Sequence, residues 1–135
     1  MKKHYKYFLF LLLMLSFGCH YNSANIIIRN ETNKKIWYST LAKDIDNTFY
    51  DISGGGQIDS HGSDSPPVRG SSEGFRTDVN SYPDKSIYIA FYPEEIFESV
   101  NKNIDSTIKA GKIKVIKFSK KELDSLNWTI IYTEK

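Results

Sequence analysis

The chain holds one cysteine, Cys19, among its 135 residues. No disulfide can form within it, so whatever folds must be held by a hydrophobic core, as small chains without covalent staples require. The material for that core is present. Isoleucines dominate, and 2 Trp, 9 Tyr and 8 Phe are spread along the length. A chain rich in β-branched and aromatic residues favours strands over helices.

The surroundings of Cys19 constrain the N-terminus further. Lys2, Lys3 and Lys6 precede an apolar run from Tyr7 to Leu15, followed by Ser16-Phe17-Gly18-Cys19. A run of roughly ten residues is half of the about 20 needed to cross a bilayer as a helix. A basic start, a short apolar stretch and small residues before a cut are the marks of a secretory signal. With Gly18 before the cut, Cys19 becomes the first residue, and its thiol the site of lipid attachment. The segment resembles a relaxed lipobox, with Ser16 and Phe17 in the places usually held by a leucine-like and a small residue. An ordinary secretory signal that leaves a free thiol, or a retained signal anchor, are the alternatives.

One acyl chain binds membranes only marginally, whereas the two or three of a lipoprotein cysteine make attachment lasting. The expected organisation is a signal peptide over residues 1–18, an anchor and tether over 19–24, and one domain over 25–135. The tether, His20-Tyr21-Asn22-Ser23, lacks an acidic cluster of the kind that marks surface export, which favours the outer membrane facing the periplasm.

Removing residues 1–18 leaves 117, enough for one domain. Lys plus Arg then number 15 against 16 Asp plus Glu, so the mature chain carries about −1 rather than +2. Basic domain surfaces mark nucleic-acid binders; here the basicity belongs to the leader, and no nucleic-acid partner is expected.

Along the domain, Asn25 to Asn30 reads as a short strand buried on both faces. A polar turn at Glu31 to Lys34 leads to a second strand, Lys35 to Leu41, with Ile36 and Tyr38 on one face and Trp37 on the other. The two are expected to pair as an antiparallel hairpin. Phe49 to Ile52 is a possible short strand ended by Gly54-Gly55-Gly56. Residues 60–72 form a loop, and Phe75 to Val79 an edge strand.

Ser86 to Tyr92 alternates two apolar sets and is the clearest strand. Pro93 stops it and opens a short helix to about Asn101, with Glu94 and Glu95 at the positive end of the dipole. Lys112 to Phe118 reads as a strand whose alternation slips near Val115, through a bulge or an edge position. Ser119 to Glu122 fits a capping box, and Asn127 suits the left-handed end of the helix it opens. Leu123 and Leu126 share a face of that helix. Trp128, Ile130 and Tyr132 form one face of a last strand. The fold class is mainly β: a single antiparallel β-sandwich, immunoglobulin-like or similar, with two short helices.

Leu123, Leu126, Asn127, Trp128, Ile130 and Tyr132 form a Leu-x-x-Leu-Asn-Trp-x-Ile-x-Tyr ending. With the isoleucine-rich strand and acidic helix from Ser86 to Glu98, this ending resembles a family of small uncharacterised lipoproteins from Gram-negative gut commensals. The likeness covers about the last 50 residues well and the rest of the domain loosely, departing in the Gly-Ser-Pro middle. It implies fold and location, and no activity. The motif residues themselves are best explained as core.

No catalytic, cofactor or metal site is assigned. His61 beside Ser60 and Asp59 has the residue types of a hydrolytic triad, but neighbours on one loop do not hold its geometry. Without free thiols, His20 and His61 do not complete a zinc ligand set. Asp44, Asp46 and Asp51 offer oxygens suited to calcium without the EF-hand pattern. Glu94, Glu95 and Glu98 are accounted for by the helix start rather than as paired catalytic carboxylates. The glycine run lacks the lysine of a phosphate loop and reads as a flexible turn. The lysines from Lys109 to Lys121 suit anionic headgroups or a solvated strand edge. Asp105-Ser106-Thr107, placed in a loop, and Asp124-Ser125-Leu126 resemble a bacterial O-glycosylation triplet, with Ser106 the candidate acceptor.

The function that follows is a lipid-anchored envelope protein that binds or supports an envelope protein or glycan. An envelope glycan hydrolase, and an inhibitor or immunity-like lipoprotein, are the alternatives.

Overall fold

The computed structural model describes residues 26–67 and 74–134; Cys19, its leader and the tether lie outside them. The fold is mainly β, two sheets sharing one core in a sandwich-like arrangement.

The strand β5 (Ser86–Tyr92) is buried at every position, as its two apolar sets require. It sits inside a four-stranded sheet between β2 (Ile36–Lys43) and β6 (Lys114–Ser119), with β3 (Phe49–Ile58) beyond β2. Every pairing in this sheet is antiparallel. Ile87, Ile89 and Phe91 face a core shared with Ile36, Tyr38, Ile58 and Phe118. Tyr88, Ala90 and Tyr92 face the opposite side, with Leu41 and Trp37.

The second sheet is smaller. β1 (Ile27–Asn30) lies between the two-residue β4 (Ser63–Asp64) and β7 (Thr129–Tyr132). Its inward residues Ile28 and Ile130, with Ile26, complete the shared core. β1 pairs antiparallel with β4 but parallel with β7, Ile27 opposite Thr129 and Asn30 opposite Tyr132. The sandwich is therefore not wholly antiparallel.

The expected β1–β2 hairpin does not form. The two strands belong to opposite sheets, so that Ile28 and Tyr38 meet across the core instead of lying side by side. The buried Asn30 makes the corner. Its amide donates to the carbonyls of Lys34 at 2.6 Å and Asp59 at 3.0 Å, and its oxygen accepts from the Thr32 amide at 3.0 Å and hydroxyl at 2.7 Å. Backbone polar groups at a buried corner need such partners. Nor is β1 covered on both faces: Ile27 is 46 % exposed.

Helices occupy the other side of the large sheet. After Pro93 a 3-10 turn (Glu94–Ile96) runs into α2 (Phe97–Lys102), which breaks at the extended Asn103 and resumes as α3 (Ile104–Lys109). The Asn103 side chain caps α3, and Val100, Ile104 and Ile108 close a second apolar cluster against Tyr88, Ala90 and Tyr92. Among the described residues this gives three layers: the small sheet, the large sheet, and α2 with α3.

Phe75 to Val79 is not an edge strand. It contains the one-turn helix α1 (Phe75–Asp78). Phe75 and Val79 are both buried, which is i, i+4 helical spacing; a strand would have turned Thr77 inward as well. The described residues hold four α-helices rather than the expected two. β6 is an edge strand paired in unbroken register with β5. Its apparent slip comes from two covered faces, Val115 toward the helices and Ile116 and Phe118 toward the core.

The capping box forms at α4 (Lys120–Ser125): the Ser119 amide donates to Glu122 Oε2 at 2.7 Å, and the Ser119 hydroxyl accepts from the Glu122 amide at 3.3 Å. Asn127 takes φ 48°, and Trp128 follows at φ 58°. Leu123, Trp128 and Ile130 are buried, and Tyr132 stacks on Phe91 at 4.4 Å. Leu126, expected beside Leu123 on a packed face, is 44 % exposed.

Candidate binding cleft

Among the described residues, a concavity opens where α2 and α3 lean over the β2–β3 side of the large sheet. Two adjoining cavities, about 280 and 360 Å³, share Ser39, Asp51 and Asn101. β2 supplies Trp37 and Ser39, the end of β5 supplies Tyr92, and α2 supplies Phe97 and Asn101. Register puts Trp37 opposite Tyr92 on the helix-facing side. The Trp37 and Phe97 rings lie 4.3 Å apart at 42°.

On the β3 side the smaller cavity is lined by the bare backbone of Gly54, Gly55 and Gly56. These glycines do not end the strand or form a turn; β3 runs through them to Ile58. Gly54 has φ +83°, and pairing jumps there from Thr40–Gly54 to Leu41–Asp51, leaving Ile52 and Ser53 as a bulge. The Asp51 carboxylate accepts from the Gly54 amide, and the Thr40 hydroxyl donates to the Gly54 carbonyl at 2.6 Å. A Cβ on Gly55 would stand 1.8 Å from the Tyr38 carbonyl oxygen. At Gly56 it would stand 2.5 Å from Asp64 Oδ2.

The polar lining is mostly neutral. The Tyr92 and Ser39 hydroxyls share a buried hydrogen bond of 2.9 Å; burial pushes the Tyr92 phenol up, partly offset by Ser39. Trp37 Nε1 is buried without a partner among the described residues. Asp105, at the far end, is bound to Lys109 Nζ at 2.6 Å and accepts from the Phe49 amide at 3.1 Å. Lys109 first, then that amide, holds its carboxyl below the usual carboxylate range. Such a group is ionised at physiological pH and has no proton to donate.

Of the residues singled out in the sequence, Asp51, Asp105 and the glycine run line the cleft, and the others go elsewhere. His61 Nε2 lies 2.9 Å from Asn33 Oδ1, Ser60 donates to the Thr32 carbonyl at 3.0 Å, and Asp59 lies 3.9 Å from Lys35; they build a corner, not a triad. Asp44 and Asp46 cap their own turn, through the amides of Ile45 at 2.7 Å and Thr48 at 2.9 Å. No group of three or more His, Cys, Asp or Glu among the described residues is placed to hold a metal ion. Glu94, Glu95 and Glu98 are exposed at the helix start. Lys109, Lys117 and Lys120 pair with Asp105, Asp84 and Asp124.

The triplet Asp105-Ser106-Thr107 is helical rather than in a loop. Ser106 is exposed in the first turn of α3, while Thr107 is buried and donates to the Asn103 carbonyl at 2.8 Å. Of the residues 60–72, only those to 67 are described, and they include β4. Trp128 is core: its Nε1 donates to Asp124 Oδ1 at 2.9 Å, and the Arg76 guanidinium lies 5.5 Å from its ring.

Sequence reasoning did not find the cleft. Its residues come from three segments that only the pairing of β2 with β3 and β5 brings together. The legible signal was three adjacent glycines following a strand-like run.

In comparison with known proteins, no family model, no curated protein and no solved structure matches the chain.

Proposed function

We propose that the chain is a membrane-tethered lipoprotein of the cell envelope whose β domain binds a partner without catalysis. Cys19 carries the lipid, the outer membrane is its site, and the cleft beside Trp37 is the contact region. The observation that supports binding is the composition of that cleft. Aromatic rings and neutral hydrogen-bonding groups converge over bare backbone, which is the usual make-up of recognition pockets.

A glycan hydrolase is the second reading, because Asp51 and Asp105 both line the larger cavity. Hydrolysis of a glycosidic bond needs one carboxyl kept protonated as the acid. Asp105, drawn down by Lys109, is poorly suited to that role.

The test is retention of envelope components by the detergent-solubilised protein, run beside an Asn101→Ala variant. Asn101 is exposed, so the change spares the core. A component held by the parent chain and lost by the variant supports the cleft; equal retention by both rules it out. Cys19→Ala should release the protein from membranes with its fold intact. If that variant still sediments with membranes in high salt, lipid anchoring is wrong.

A further inference from the structure

The described residues expose five large apolar side chains; two of them share the outer face of the small sheet, and a third, Leu126, shortly precedes that sheet's last strand. Ile27 is 46 % exposed, Ile131 56 % and Leu126 44 %. Ile27 and Ile131 lie on the outer face of the small sheet, because their neighbours Ile28 and Ile130 point into the core. β1 and β7 run parallel, so both start at the same end. The Ile27 amide bonds the Trp128 carbonyl there at 2.8 Å, two residues after Leu126. Arg29 is exposed on the same face, opposite Ile131 in register, and makes no ion pair among the described residues.

This face also stands where the chain enters the domain. Only residues 20–25 separate Cys19 from Ile26, a reach of at most about 25 Å even when fully extended. A lipid at Cys19 therefore holds β1 close to the bilayer. At that effective concentration, a contact too weak to recruit a free protein is occupied. Two or three aliphatic side chains and one guanidinium suit the boundary between acyl chains and anionic headgroups.

We infer that the outer face of the small sheet, through Ile27, Arg29 and Ile131, rests on the bilayer that carries the Cys19 lipid. This rests on the anchoring reading above. The three layers then order the molecule: small sheet on the membrane, large sheet above it, and the helix-side cleft turned away toward the partner compartment.

The experiment uses the full native protein, reconstituted in phosphatidylethanolamine–phosphatidylglycerol vesicles that contain a lipid with a photoactivatable headgroup. Lipid adducts are then mapped by peptide mass spectrometry. Adducts on residues 27–29 and 129–131 in severalfold excess over those on 97–109 support the inference. Ile27→Ser with Ile131→Ser should abolish the excess while the protein stays on the vesicles. Arg29→Glu, which touches no packing, should lower it about tenfold when phosphatidylglycerol is present, and little when it is replaced by phosphatidylcholine.

Adducts spread evenly, or concentrated on the helices, overturn the inference. So does a cross-linked dimer through β7 in place of lipid adducts, which would give this face to a second copy. Intact mass reads the anchor separately: an unmodified Cys19 sinks the anchoring reading, and this inference with it.

Discussion

The Tyr38 hydroxyl donates to Asp64 Oδ2 at 2.7 Å, joining the interior of the large sheet to the shortest strand of the small one. Gly56 leaves the room for it, since a Cβ there would collide with both partners. Tyr38→Phe keeps the ring and removes the bond, leaving a partly buried carboxylate short of a donor. It should cost about 1–2 kcal/mol, read as a lower denaturation midpoint with an unchanged slope.

Stability should fall on the alkaline side. Burial holds the protons of Tyr38, Tyr82 and Tyr92 more tightly than in an exposed tyrosine, with Asp64 adding to the effect at Tyr38; Tyr82 is pushed up to about 12. Below about pH 10 both folded and unfolded chains keep these protons, and stability is flat. Above it the unfolded chain releases them first, so stability drops as pH rises. On the acid side, Asp105 and Asp124 are drawn down chiefly by Lys109 and Lys120. Their contribution is present above about pH 4 and is lost as pH falls further. Denaturation midpoints across pH, with phenolate absorbance followed in parallel, check both arms.

Of glycine-to-alanine changes at Gly54, Gly55, Gly56, Gly62 and Gly111, Gly55→Ala should be the most damaging. Its methyl meets a backbone oxygen, so the β2–β3 ladder must part rather than a side chain turn aside. A loss of at least about 2 kcal/mol is expected. Gly111→Ala, in open space at φ +70°, should cost only about 1 kcal/mol. The paired melts separate collision from backbone strain.

Trp37→Phe tests the cleft independently of stability. It removes a buried N–H that has no partner among the described residues, offsetting the lost ring area, so the denaturation midpoint should move by less than about 1 kcal/mol equivalent. Retention of the envelope component should fall. Unchanged retention would mean that Trp37 serves only to pack against Phe97.

What could be read in the chain was local. Ser119 and Glu122 announce their capping box three residues apart, Asn127 its left-handed stop, and Trp128, Ile130 and Tyr132 their shared face. Each depends on residues within a turn of one another. What could not be read was partnership between distant segments. Ile27 and Ile36 both look like strand residues, yet nothing near them says that they belong to opposite sheets. The same is true of Trp37, Asp51 and Asn101, whose meeting depends on the register of β3. The glycine run misled because glycine usually interrupts strands, and only the proximity of the Tyr38 carbonyl explains why it is needed within one.

β1 is hydrogen-bonded along its length to β7, the last strand of the described domain. During synthesis from the N-terminus β1 must wait for β7, so the small sheet is completed only after the strands of the large sheet have been made. Long-range pairing of this kind slows folding. Loss of β7 would leave β1 with only the two-residue β4 beside it, and the small sheet with one pairing instead of two.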